Sequence, residues 1–279
     1  MAEANRLQAV LPDAKSTIGI AAGYPLRLRP SDRQLQGVPR GPRLPLALVN
    51  NITAASNGIL LAGGTPGRQG LLGKLDPTNL VTSNVEVVGS ECLTGLLDFG
   101  DVQFAVNAKG VLFSRVEGSK WSEQQAHQGA CTGILKVNNS LFVTIGVDGL
   151  IHCWDRRASK TGTLEGHAAG ITAATNTADN LLITVSSDRS IRIWDPLRQR
   201  QRMFSKGFEH PLVGVHHAGT IVVAIDAVGQ VFVLHDFDKP KKTGQAVGTP
   251  CCSWLINDGQ LAVFIARRNG MIHRISPDV

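Results

Sequence analysis

Asp148-Gly149-Leu150-Ile151-His152-Cys153-Trp154-Asp155 and Asp188-Arg189-Ser190-Ile191-Arg192-Ile193-Trp194-Asp195 are the stretches that decide the fold. Each opens on a turn aspartate, alternates apolar residues and closes on Trp-Asp. The two tryptophans stand 40 residues apart, and each has a histidine 27 residues upstream, His127 and His167. A fixed period of this size marks a repeat architecture, whose units bury their apolar faces against one another. Around the second stretch, alternation and turn residues outline four short strands: Ile171 to Thr175, Leu181 to Ser186, Ser190 to Trp194 and Arg200 to Phe204. The last is polar and basic, as an exposed edge strand tends to be. Short strands with this period match the four-stranded blade of a propeller. The 3.6-residue amphipathic stretches that a helical solenoid needs are not visible.

These segments resemble the WD-repeat (WD40) family. Fainter copies extend the resemblance in both directions. Val231-Phe232-Val233-Leu234-His235-Asp236 puts His235 in the Trp position, and Asn269-Gly270-Met271-Ile272-His273-Arg274-Ile275 puts Ile275 there. Upstream, Gly110-Val111-Leu112-Phe113-Ser114-Arg115 offers Arg115, and Gly70-Leu71-Leu72-Gly73-Lys74-Leu75-Asp76 offers Leu75. Pro25-Leu26-Arg27-Leu28-Arg29, after the strand-like Thr17 to Ala22, makes a seventh unit, its spacing stretched by the Pro/Arg-rich residues Arg33 to Pro45. The expectation is an all-β chain, a single seven-bladed WD40-type β-propeller over 1–279 with four-stranded antiparallel blades. Its blades fall at about 6–45, 46–90, 91–126, 127–166, 167–208, 209–248 and 249–279. Closure of the ring stays open at this level. Arg6 to Leu11 is the candidate outer strand for the last blade, yet the first blade needs the same residues as its inner strand.

The resemblance also implies a buried polar network in the two clear repeats. In that family a Gly-His histidine, the turn aspartate, a second-strand Ser or Thr and the Trp indole hydrogen-bond together. Here these are His167, Ser186, Asp188 and Trp194. In the preceding repeat they are His127, Asp148 and Trp154, with Thr144 or Gly146 in the hydroxyl position. The chemistry is reasonable, because a buried carboxylate needs donors and imidazole and indole N–H supply them. The same letters spell a hydrolytic triad, but a triad needs an exposed nucleophile and an oxyanion hole. No catalytic residue is expected.

The Gly-rich run Gly63 to Gly70 fails as a phosphate loop, because Gly73-Lys74 is followed by Leu75 and Arg68 stands where the first glycine belongs. The eight histidines do not cluster with carboxylates at zinc spacing. The cysteines (Cys92, Cys131, Cys153, Cys251, Cys252) contain no C-x-x-C pair and read as reduced thiols. No metal and no cofactor are expected.

With 43% hydrophobic and 18% charged residues, the chain of 279 residues has the composition of a globular protein. It has no apolar run near the roughly 18 residues of a spanning helix, so membrane insertion is not expected. Without a secretory signal at Met1 to Arg6, an intracellular place in cytoplasm or nucleus is expected. The net charge of +6 is carried by groups: Arg27, Arg29, Arg33, Arg40 and Arg43; Arg198, Arg200 and Arg202; Lys239, Lys241 and Lys242; Arg267 and Arg268. They read as a solvated rim, or as a surface for RNA or an acidic partner. Few aromatics interleave with them, which argues against a stacking platform for single strands.

What the resemblance implies about function is a non-catalytic scaffold that binds other proteins within an intracellular multisubunit complex, with Arg189, Arg192 and Phe208 as contact candidates. Trp154-Asp155-Arg156-Arg157 is also similar to the W-D-x-R box of substrate receptors of cullin-4 ubiquitin ligases, where Arg157 would contact the ligase adaptor. A ribosome- or RNA-associated propeller using its basic surface is the third reading.

Overall fold

The computed structural model describes residues 7–12, 17–55, 58–235, 240–246, 249–257 and 260–276. Arg6 and Lys239, named above, lie outside them. Among the described residues the regular elements are strands, and consecutive strands pair into seven sheets. The first sheet holds β1 (Leu7–Leu11), β2 (Thr17–Ala21) and β3 (Tyr24–Leu28). The second holds β4 (Leu48–Ala55), β5 (Gly58–Thr65), β6 (Gln69–Leu75) and β7 (Thr82–Val87), and the third β8 (Leu93–Asp98), β9 (Val102–Asn107), β10 (Val111–Val116) and β11 (Ser122–Gln125). In the fourth are β12 (Cys131–Lys136), β13 (Leu141–Gly146), β14 (Ile151–Asp155) and β15 (Lys160–Leu164). The fifth has β16 (Ile171–Asn176), β17 (Leu182–Ser186), β18 (Ser190–Asp195) and β19 (Arg200–Lys206). The sixth has β20 (Leu212–Ala218), β21 (Ile221–Asp226), β22 (Gln230–His235) and β23 (Lys241–Gln245), and the last β24 (Pro250–Asn257), β25 (Leu261–Arg267) and β26 (Ile272–Ile275). These are the blades of a seven-bladed β-propeller.

Among the described residues, the first and last sheets hold three strands and the other five hold four. By contact the chain divides into two compact units, residues 1–96 with 244–279, and residues 97–243. Within each, apolar faces of neighbouring sheets pack on one another. In the second unit, Phe104, Phe142 and Trp154 form one such layer, Ile183, Ile193, Leu212 and Val222 another.

The pairing repeats a device that composition does not reveal. In the first, second, fourth, fifth, sixth and seventh sheets the innermost strand bulges against its partner near its start, as between Cys131 and Gly133 and between Ile171 and Ala173. A bulge turns one extra side chain out of the ladder. Three of the turned-out residues reach the first strand of the next sheet: Asn50 Nδ2 donates to the Leu93 carbonyl (2.7 Å), Thr132 to that of Ile171 (2.7 Å) and Thr172 to that of Leu212 (2.7 Å).

At the seam, one of the two uses left open for the first strand is taken. β1 pairs with β2, so residues 7–11 are the inner strand of the first sheet and do not complete the last one. Instead, the segment after β3 bridges both sheets. Ile272 N–H donates to the Arg33 carbonyl (2.7 Å) and Leu35 N–H to that of Gly270 (2.9 Å), on the edge of β26 turned away from β25. A few residues on, Gly41 N–H donates to the Pro25 carbonyl (2.7 Å) along the free edge of β3. Pro25 suits that edge, because its missing N–H leaves no ladder bond unmade there. Leu35, fully buried, sits among Leu7, Leu26, Trp254, Phe264 and Ile272. Residues 33–41 therefore form a strap across the seam.

Candidate functional site

Both Trp-Asp stretches become third strands, β14 and β18, and their tryptophans are buried. In the fifth sheet the Trp194 indole N–H donates to Thr184 Oγ1 (2.8 Å), which lies 2.8 Å from His167 Nε2, while His167 Nδ1 lies 2.9 Å from Asp188 Oδ2. A carboxylate only accepts, so Nδ1 carries the imidazole proton and Nε2 takes the Thr184 hydroxyl proton. Asp188 also accepts from the N–H of Ala168 (2.9 Å) and Ser190 (3.0 Å) and from the Ser190 hydroxyl (2.6 Å). The fourth sheet repeats the relay. Trp154 donates to Thr144 (2.9 Å), Thr144 meets His127 Nε2 (2.8 Å), and His127 Nδ1 meets Asp148 (3.0 Å).

Electrostatics agree with that proton order. Burial pushes the pKa of His127 and His167 below the ordinary imidazole value, despite the opposing pull of Asp148 and Asp188. Burial pushes the two carboxyls up, but the Ser190 hydroxyl and His167 on Asp188, and His127 and the Leu150 N–H on Asp148, outweigh it and hold both below the usual carboxylate value. Each site is thus a neutral imidazole on an ionised carboxylate.

The hydroxyl at the centre of the fifth-sheet relay is Thr184, not Ser186. Ser186 lies farther along β17, where it donates to the carbonyls of Ala169 and Gly170 and accepts the Asp188 N–H (each 3.0 Å). Thr144 fills the same place in the fourth sheet, so that relay has all its members. Gly146 is the residue the relay tolerates beside it, because a Cβ there would meet His127 Nδ1 at 2.5 Å. Thr144 and Thr184 are fully buried, and each hydroxyl is engaged as both donor and acceptor, so neither is placed as a nucleophile.

His127, Asp148 and His152 bring three ligand-type atoms within 4.8 Å of one another. They do not fit a cation. The rings of His127 and His152 lie over each other (centroids 4.5 Å, 33°), so their lone pairs do not converge, and both His127 nitrogens belong to the relay. His152 Nδ1 meets Thr163 (3.0 Å). Burial, with His127 and Lys160 nearby, pushes the His152 pKa down to about 4.

A family model, WD domain, G-beta repeat, matches residues 158–195. The chain is a β-propeller, and one of its repeats matches that model. The repeat takes the outer strand β15 of one blade and the three inner strands of the next, so the sequence unit and the structural unit are out of phase. The WD40 β-propeller domain of Doa1 superposes with a TM-score of 0.77 at 15% identity, covering 98% of this chain and 93% of that one. The computationally designed Ika8 protein gives 0.70 at 15% identity, covering 98% and 96%. No curated protein matches the sequence.

Around the WD repeat, the contact candidates separate. Arg189 is exposed at the tip of the β17–β18 turn with φ 64°. The same turn position is glycine in four other blades, Gly110, Gly149, Gly229 and Gly270, all in the left-handed region that costs a non-glycine residue about 1 kcal/mol or more. Arg192 lies over the rings of Phe204 (4.2 Å) and Trp194 (6.0 Å) and donates to Gln201. Phe208 is a core residue rather than a surface contact: it is buried edge-on against Phe232 (5.0 Å, 88°). Arg157 is exposed on a tight turn held by Asp155, while its neighbour Arg156 pairs with Asp101.

The sixth blade corrects a register. Leu234 faces Val222 as Trp194 faces Leu182, so Leu234 holds the Trp position and His235 is exposed. No helix among the described residues is long and apolar enough to cross a membrane.

Proposed function

We propose that this propeller is a non-catalytic scaffold subunit that binds other proteins within an intracellular multiprotein complex. WD40 propellers generally serve as interaction scaffolds. The observation that carries the reading here is Arg189, an exposed cation kept on a left-handed turn where four other blades use glycine. Strain held at an exposed position points to use of the side chain, since a glycine would relieve it. Its neighbour Arg192 is fixed by two rings, so the pair presents a rigid charged feature beside the turn.

The W-D-x-R reading has its own support in the exposure of Arg157 on a fixed turn. One affinity purification separates the two. Tagged wild type, Arg189→Gly and Arg157→Ala are compared for co-purifying proteins. Scaffold binding through the turn predicts loss of a reproducible set in Arg189→Gly. The ligase-receptor reading predicts loss of a ligase adaptor in Arg157→Ala. A wild type that retains no reproducible set ends both.

A further inference from the structure

The strap does more than cross the seam. With β3 and the turn at residues 76–80 it walls a cleft of about 1010 Å³, lined by Arg27, Arg29, Arg33 and Arg40. Asp32 is the one carboxylate among the described lining residues, and its Oδ2 accepts the Arg29 backbone N–H (2.7 Å). We propose that this cleft is a docking site for an extended acidic peptide segment of a partner protein, an inference that rests on the scaffold reading and names the chemistry of one partner.

Three observations support it. First, the Arg27 and Arg33 guanidinium groups are placed by carbonyls, which do not neutralise them. Arg27 donates to the carbonyls of Pro77 and Thr78, and Arg33 to those of Pro30 and Asp32. These carbonyls hold the two forks in position while the charge remains for a ligand, which lowers the ordering cost of binding. Second, planar guanidinium forks match carboxylates in two-point hydrogen bonds. The cleft is at the upper end of the roughly 300–1,000 Å³ of small-molecule sites, so it suits several residues of chain better than a single small anion. Third, no aromatic side chain is among the described residues that line it, whereas Val38, Pro39 and Leu80 are. Single-stranded nucleic acid draws on stacking, which the lining lacks. A peptide alternating acidic and apolar side chains can use both kinds of wall.

The test is fluorescence anisotropy with the full chain and a labelled peptide of alternating glutamate and valine. Competitors are the same peptide with glutamine for glutamate, and oligouridylate. Arg29→Glu/Arg33→Glu is compared with Lys241→Glu/Lys242→Glu, an exposed pair elsewhere that makes the same change in net charge. The proposal expects affinity to fall about tenfold or more in the cleft variant and to hold within about twofold in the control. Arg29→Gln, which leaves the strap's backbone contacts alone, is expected to give a smaller loss in the same direction. Equal loss in both double variants means attraction to net charge alone and overturns it, as does tighter competition by oligouridylate than by peptide. An unchanged affinity in the cleft variants overturns it too. If the cleft variants keep the co-purifying proteins that Arg189→Gly loses, the scaffold reading survives the failure of this one.

Discussion

Thr184→Val removes one oxygen and leaves the shape of the side chain nearly unchanged, so it isolates the relay from packing. Two buried groups lose their partner: the Trp194 indole N–H and His167 Nε2, each 2.8 Å from the hydroxyl. A buried polar group left unmade costs about 1–3 kcal/mol, so the pair predicts about 2–6 kcal/mol. Thr184→Ser keeps the oxygen and loses one methyl, about 1 kcal/mol. Ser186→Ala serves as the contrast, because that hydroxyl bonds main-chain groups and touches neither Trp194 nor His167. Urea unfolding followed by tryptophan fluorescence gives the three differences. The order Thr184→Val, then Ser186→Ala and Thr184→Ser with smaller effects, is expected. A Thr184→Val protein within about 0.5 kcal/mol of wild type would falsify the relay as a stabilising unit, and a larger loss in Ser186→Ala would move its centre two residues along β17.

Two further outcomes follow from the seam and from the buried imidazoles. Leu35→Ala, which empties a fully buried site between the first and last sheets, is expected to cost about 2–4 kcal/mol. Hydrogen exchange of the Leu35 and Ile272 amides should quicken, and unchanged protection of both would remove the strap from the account. His127, His152 and His167 have native pKa values below the unfolded value of about 6.5, so the unfolded chain takes up protons that the native chain refuses. Their contribution is complete above pH 6.5 and is lost as the pH falls through their native values, which for His152 is about 4. The urea midpoint should be level from pH 8 to 7 and fall from 6.5 downward, less steeply in His152→Gln. A midpoint independent of pH between 7 and 5 contradicts the assignment of neutral rings.

The parts of this architecture that could be read from residues alone are those with local periodicity. Trp154 and Trp194 with their upstream histidines and turn aspartates marked two relays, and apolar alternation marked the remaining blades. The family pattern asks only for a Ser or Thr on the second strand, which Ser186 satisfies as well as Thr184, whereas strand register decides between them. Trp194 faces Leu182, so Thr184, the next residue on the same face, is within reach of the indole and Ser186 is one step too far. A one-residue slip likewise exchanged His235 for Leu234. Phe208 looked like a loop contact because nothing local told of Phe232 beneath it. Asn50, Thr132 and Thr172 stand in plain sight at strand starts, but only the bulge shows that they point to the next sheet. The strap left no signal, since Arg33 and Ile272 belong to opposite ends of the sequence.

That distance bears on how the chain assembles. Gln34 and Met271, the bridged pair of the strap, are 237 positions apart. Bringing such remote points together from an open chain carries a loop-closure term of about 5 kcal/mol, by the logarithmic dependence on loop length. The contacts of each sheet, between neighbours in sequence, form far more readily. During synthesis the Gly41 end of the strap can join Pro25 of β3 as soon as both have emerged, whereas Arg33 to Leu35 must wait for Gly270 to Ile272, which follow far later in the chain. Leu35 and its cluster partners from the first sheet therefore stay without their final packing until the last sheet has been made, which makes that interval the one in which this chain is most exposed to chaperones and to mispairing with another copy.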